Sequence, residues 1–288
     1  MSSQENSIIS QNDLRIVNHY LPLLRRHGLV SLDALFQSDI GISLKKPGLS
    51  QWRERFRLVL DDDRGNPRIF YLKRFHHPPP NERREVGKAL HAHSVAAVEW
   101  TWMWTFLSEG IPTPQPVAFG EEIKNGVEIR SLIVTEALPG RSLETWMNRW
   151  GENDKPLIRK LINPLADLIA RLHKNRFIHR DLYTCHIFFD PLAPVQNSLY
   201  LIDLQRVIKP KWWIRRWIVK DLAALNYSTP SSVVSTKDRL RWLKRYLGIP
   251  RLATKEKRLI RQIQKKTKRI ARHDKKRREK LYGKFIDA

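Results

Sequence analysis

The sequence predicts an α+β fold with a strand-rich N-terminal part and a mainly helical C-terminal part. Three observations predict it. β-type runs at Arg68–Phe75 and Ser131–Gly140 flank an apolar stretch of helical length at 94–107. Two short apolar runs, within Phe177–Asp190 and Ser198–Arg206, meet at the turn residues Asp190 and Pro191 as a hairpin. Downstream, Leu252, Leu259, Ile260, Ile263 and Ile270 recur at loosely helical spacing in a basic background.

In chain order, residues 1–40 read as a polar start and a helical lead-in carrying Leu14, Val17, Leu21, Leu24 and Leu32. Residues 41–137 read as a smaller, strand-rich lobe interrupted by one helix. Its first hairpin, around Ser43 to Leu60, holds Gly48 in the run Lys45-Lys46-Pro47-Gly48-Leu49-Ser50. One glycine permits one close backbone approach to a phosphate, with Lys45, Lys46 and Ser50 as further donors; a plain surface turn is the competing reading. Alternation along Arg68–Phe75 puts Lys73 on the face opposite Leu72. Glu99 lies in the helical stretch among Val95, Val98, Trp102 and Phe106. A carboxylate on so apolar a surface needs a cationic partner, and Lys73 is the natural one; Glu85 is the alternative for the acidic role. The strand Ser131–Gly140 ends in a Pro-Gly turn before a helical stretch with Leu143, Trp146 and Met147. As a link between two lobes it would line a nucleotide pocket with Thr135 and offer backbone groups of Glu136 and Leu138 to an adenine; an ordinary buried strand and turn fits the same residues.

Residues 138–250 read as a mainly helical lobe that carries the chemistry. His179-Arg180-Asp181 stands 22 residues before Asp203, which closes the apolar run Leu199–Ile202. Phosphoryl transfer needs two such carboxylates, one to take the proton of the acceptor hydroxyl and one to hold Mg²⁺ against the nucleotide phosphates. A catalytic loop, a hairpin and a metal-binding loop follow one another in kinase order.

The residues HRDLYTCH at 179–186, IDLQR at 202–206, KDLAALNYS at 220–228, EWTWMWTFLSEGIPTPQPVAFG at 99–120 and HGLVSLDALF at 27–36 carry a resemblance. Over roughly residues 27–250 the chain resembles the lipopolysaccharide core kinases of the WaaP/InaA type, within the protein-kinase-like superfamily. The resemblance implies a bilobal protein-kinase-like fold and ATP-dependent phosphorylation of a sugar hydroxyl, on heptose or 3-deoxy-octulosonate, in the inner core of lipopolysaccharide at the cytoplasmic face of the membrane. Carried over, Asp181 is the catalytic base and Asp203 the Mg²⁺ ligand. Lys73 and Glu99 are the phosphate-orienting pair, and Asp221 supports the backbone of the catalytic loop. Arg180 holds acidic parts of the acceptor or the loop itself, beside His179. His186 stands where kinases place a metal-binding Asn. Since Mg²⁺ prefers oxygen, His186 is expected to orient Asp203 or a phosphate, although a His here is what the WaaP-type pattern shows. Leu204-Gln205 replaces the usual Phe-Gly.

Composition is compatible with an enzyme and excludes a disordered basic chain: 41% of residues are hydrophobic, ten of them tryptophan. The single cysteine, Cys185, rules out an internal disulfide, reads as a packing residue and suits a reducing cytoplasm. Secretion and a transmembrane anchor are disfavoured by the polar Met1–Asp13 and by the lack of a run near the roughly 18 apolar residues a span needs. The formal charge is +24, from 53 Lys and Arg against 29 Asp and Glu, and residues 251–288 carry half of the excess. This basic C-terminal extension is expected to be an amphipathic helix that frays toward Lys275–Arg278. With Trp212, Trp213 and Trp217 it suits peripheral contact with an anionic membrane, the tryptophans having core packing as their other reading. A protein kinase acting on Tyr or Ser would use the same catalytic residues. A nucleic-acid-binding pseudokinase would explain the charge but leaves the ordered set Lys73, Glu99, Asp181 and Asp203 without a purpose, so nucleic acid is disfavoured as a partner.

Overall fold

The structure, a computed structural model, describes residues 7–11, 13–37, 39–44, 50–82 and 92–286, with side chains as far as 279. Gly48, Lys45, Lys46 and Glu85 lie outside the described residues. The chain divides into two compact units. One runs to Leu138 and includes Asp203–Gln205; the other comprises Pro139–Ile202 and the chain from Arg206 onward.

The first unit is built on β1 (Ile8–Gln11), β2 (Leu14–Val17), helix α1 (Leu21–Arg26), β3 (Ile42–Ser43), β4 (Arg53–Asp61), β5 (Pro67–His76), α2 (Val95–Ser108), β6 (Pro116–Lys124) and β7 (Val127–Glu136). The strands form one antiparallel sheet in the order β1-β2-β6-β7-β5-β4-β3. The 1–40 segment, expected to be a helical lead-in, differs: its described residues supply a hairpin, one short α-helix and two 3-10 turns. Buried Leu14 and Ile16 alternate with exposed Arg15, a period of two, and β2 adds to β6 with Leu14 opposite Gly120 and Ile16 opposite Ala118. The leucine spacing that suggested a helix joins two elements. Helix α2 begins with the Ser94 hydroxyl accepting from the Ala97 amide, at 3.1 Å. It is buried on nearly every side by Val95, Val98, Trp102, Met103 and Phe106, which places any charge it carries inside the unit.

The second unit contains β8 (Arg141–Ser142), α3 (Leu143–Met147), α4 (Lys155–Lys174), β9 (Ile187–Phe189), β10 (Leu199–Leu201), α5 (Ile214–Ser228), α6 (Thr236–Leu247) and α7 (Thr254–Ile286). The small sheet β10-β9-β8 presents the loops on either side of it. Gly140, at φ 79°, leads into β8 where a Cβ would overlap the Phe189 carbonyl oxygen. The basic extension does not fray toward Lys275–Arg278 as expected; α7 is one continuous helix from Thr254 to Ile286. Its buried Glu256 and Ile263 and half-buried Leu259, Ile260, Thr267, Ile270 and Asp274 fall on one face at helical spacing. That face packs on α5, where Tyr227 donates its hydroxyl to Asp274 at 2.6 Å and Asn226 bonds Thr267 at 3.1 Å. The outer face carries Arg258, Arg261, Lys265, Lys268, Arg269 and Arg272. An apolar cavity of about 190 Å³ lies among Met147, Leu161, Ile162, Leu222, Leu243 and Ile263. No helix among the described residues is long and apolar enough to cross a membrane.

Candidate active site

In the first unit, β5 presents Lys73 opposite Arg55 of β4 and Ile133 of β7. Its ammonium donates to both oxygens of Glu99, at 2.7 and 2.9 Å, and to Asp203 Oδ1 at 3.3 Å. Glu99 has a side chain 1% exposed, so its ionised form depends on those donors and on Gln205, whose side-chain amide reaches Oε2 at 3.0 Å. Burial alone would push the Lys73 ammonium down, but Glu99 and then Asp203 more than offset it and hold its pKa above the ordinary lysine value. Asp203 has φ 62°, a left-handed conformation that costs an aspartate energy and that recurs at functional loops.

Two arginines of β4 belong to the same electrostatic environment. Burial lowers the pKa of Arg53, Glu82 and Asp203 pull it back up, and its ring-facing guanidinium lies 4.1 Å over Trp52. Arg55 depresses Lys73 as a like charge does. At the end of β7, Glu136 accepts from the Tyr20 hydroxyl at 2.6 Å and pairs with Arg68. Its backbone amide already donates to the Gln115 carbonyl and that of Ala137 to Ile69. The amide of Glu136 is therefore taken up within the unit. Leu138 ends the unit, half-buried.

In the second unit, Asp221 is fully buried and accepts from the His179 amide at 2.7 Å and the Arg180 amide at 2.9 Å. His173 lies 3.4 Å from the same carboxylate. These bonds fix a loop whose Arg180 has φ 68°. The His179 ring is buried with Nε2 3.0 Å from the Ile202 carbonyl. His186 sits in a short 3-10 turn with Nδ1 2.7 Å from the Asp181 carbonyl oxygen, its ring stacked on that of His179. Thus His186 serves the backbone of the 179–181 loop through Nδ1. Asp181 is partly exposed, and Arg206 Nη1 donates to both its oxygens at 3.1 and 3.0 Å. Gln205 and Arg206 are contacts the sequence reading missed; the available signal was a Gln and an Arg standing just beyond Asp203, where a kinase has its glycine.

Among the described residues no group of three or more His, Cys, Asp or Glu side chains could hold a metal ion alone. Mg²⁺ is ordinarily held by one or two carboxylates together with substrate phosphates, and Asp203 offers one such carboxylate.

Comparison with known proteins decides the family. The model of the lipopolysaccharide kinase (Kdo/WaaP) family matches residues 87–246, more than half of the chain. The chain belongs to the lipopolysaccharide kinase (Kdo/WaaP) family. A lipopolysaccharide core heptose(I) kinase WaaP of Pseudomonas aeruginosa is 34% identical over 161 residues, 54% of this chain and 60% of the relative. The Escherichia coli K12 protein of the same description is 31% identical over 180 residues, 60% of this chain and 68% of the relative. The chain thus spans about three-fifths to two-thirds of the length of these relatives. A solved structure, WaaP in complex with acyl carrier protein, superposes with a TM-score of 0.61 at 26% identity, over 80% of this chain and 88% of that one. With that kinship the two units are the lobes of an α+β, protein-kinase-like fold.

Proposed function

We propose that this protein transfers the γ-phosphoryl group of ATP to a hydroxyl of heptose or 3-deoxy-octulosonate in the inner core of lipopolysaccharide. The observation that carries the reading is the Lys73 ammonium set between Glu99 and Asp203, an arrangement suited to holding nucleotide phosphates beside a metal ligand. The similar proteins of P. aeruginosa and E. coli, both heptose kinases, favour a sugar over a protein acceptor.

In this mechanism Lys73 steadies the nucleotide phosphates and Glu99, itself held by Gln205, fixes the lysine. Asp203 would hold Mg²⁺, which would supply charge neutralisation at the phosphates. Asp181 leaves Arg206, accepts a hydrogen bond from the acceptor hydroxyl and takes its proton late. Asp221 keeps the loop in place through the amides of residues 179 and 180. Arg53 and Arg55 add positive charge on the strand next to Lys73.

The reading includes a place at the cytoplasmic face of the membrane. Trp212 and Trp213 are 77% and 81% exposed just ahead of α5, and the outer face of α7 is basic; aromatic and cationic side chains of this kind suit an anionic lipid surface. Trp217 is half-buried between two cations and is assigned to the site instead. Acyl carrier protein, found with the solved relative, is a proposed partner, and the apolar cavity of the second unit suits an acyl chain. Co-expression should then raise the yield of folded protein; an unchanged yield would remove this partner.

Labelled ATP offered with dephosphorylated lipopolysaccharide core and with a general protein acceptor tests the main reading. Label in the glycolipid supports it. Label in protein alone would replace it with a protein kinase.

A further inference from the structure

The face of the first unit's sheet that carries Lys73 continues into an apolar patch. In an antiparallel sheet, residues directly opposite one another and residues two apart along a strand share a face. Arg55 stands opposite Lys73, Arg57 opposite Tyr71, and Ile42 of β3 opposite Arg57. Val59, two residues beyond Arg57, falls on the same side, so the Lys73 face also carries Ile42, Val59 and Tyr71. All three are exposed, Tyr71 at 38%, whereas the alternate positions Phe56, Leu58, Phe70 and Leu72 are buried. On its other side Tyr71 pairs with Thr135 of β7, the residue expected to line a nucleotide pocket. The V-A-I-K pattern of protein kinases has a small alanine two residues before the lysine; here a tyrosine stands there, in Phe70-Tyr71-Leu72-Lys73. Among the described residues the Tyr71 ring stacks on no other ring and the Arg57 guanidinium has no ion pair.

We propose that Tyr71, with Arg57 beside it, is the platform on which the base of the nucleotide stacks. The inference rests on the proposed function and adds the residues that hold the part of ATP lying beyond its phosphates. Two residues along β5 separate Tyr71 from Lys73 by about 7 Å, so phosphates held at the lysine bring the nucleoside to the ring. In the other direction the same face continues to Phe75, which is buried and offers no open surface. A phenol ring and a guanidinium are both planar, and both stack on the π-face of a base. An exposed apolar patch also suits a partner protein. Its continuity with Lys73 favours the nucleotide, because a protein covering the patch would cover the lysine as well.

The probes are ATP and inorganic tripolyphosphate, which lacks the nucleoside, both with Mg²⁺; ATP is titrated calorimetrically into the full chain and tripolyphosphate is measured as its competitor. Tyr71→Thr, which keeps a strand-forming residue, should weaken ATP binding about tenfold, the loss of one stacked base. It should leave the inhibition constant of tripolyphosphate unchanged. Tyr71→Phe and Tyr71→Trp, which keep a ring, should bind ATP as wild type does. Wild-type ATP affinity in Tyr71→Thr overturns the proposal. So does an equal loss for tripolyphosphate, which would mean that the residue acts through Lys73 or the fold. Tighter ATP binding by Tyr71→Thr makes the ring an obstruction and overturns it too. If the ring dependence holds while glycolipid receives no phosphate, the proposed function fails and the base site survives. If glycolipid is phosphorylated while Tyr71→Thr binds ATP normally, the proposed function survives and the base site fails.

Discussion

At the scale of single residues, the site turns on carboxylates whose partners differ. Glu99 is sealed and depends on Lys73 and Gln205, whereas Asp181 is partly exposed and held by the half-exposed Arg206 guanidinium. Lys73→Met would leave the Glu99 carboxylate buried without its main cation. A loss of about 3 kcal/mol in unfolding free energy at pH 7 is expected, measured by urea titration. The pH dependence has a definite sign. Because the Lys73 pKa is raised in the folded chain, its stabilisation is complete below the ordinary lysine value of 10.5 and is lost as pH rises through the higher folded value. The gap between wild type and Lys73→Met should therefore be constant through neutral pH and close only in strong alkali; closure between pH 6 and 8 would contradict the pairing. The Lys73–Glu99 contact was legible in the sequence because a lone carboxylate on an apolar helix demands a cation. Gln205 and Arg206 were not, since their targets are set by a left-handed turn at Asp203 that no local pattern announces.

At the scale of elements, the loop at 179–181, proposed to be catalytic, is held in shape by groups far from it in sequence. Asp221, from α5, accepts two loop amides at positions 179 and 180. Asp221→Ala should remove about 1.5–3 kcal/mol of stability for each charged hydrogen bond lost and lower kcat with little change in the ATP KM; an unchanged kcat would show that the loop keeps its form without the carboxylate. Gly140→Ala combines a left-handed backbone with overlap on the Phe189 carbonyl. It should cost at least about 1–2 kcal/mol, read as a lowered melting temperature. Helix α2, the β9–β10 hairpin and strand β7 were legible from period and turn residues. The β1–β2 hairpin was misread because four-residue strands are too short to outvote leucines that happen to recur at helical intervals. The continuity of α7 was missed for another reason: the partner that pins its far end, Tyr227 on α5, is a tertiary contact.

At the scale of the whole molecule, half of the net charge of +24 lies in residues 251–288, where the exposed basic side chains share an outer helix face. Binding to vesicles containing phosphatidylglycerol should fall steeply with salt, and neutralising Arg258, Arg261, Lys265 and Lys268 should weaken it by about 1 kcal/mol per charge near the surface. Equal sedimentation with neutral vesicles would remove the electrostatic part of that proposal. Kinship supplied what composition could not, the case for a sugar acceptor in the proposed function, because basic charge by itself serves lipid, glycolipid and nucleic acid alike. The central claim is that Asp181 handles the acceptor and Asp203 the metal-bound nucleotide. The most direct test is to measure both ATP binding and phosphate transfer to dephosphorylated lipopolysaccharide core for Asp181→Asn and Asp203→Asn. Asp181→Asn should bind ATP as wild type does while turnover falls by roughly 10²–10⁴-fold, and Asp203→Asn should lose both; wild-type turnover in either variant would contradict the account.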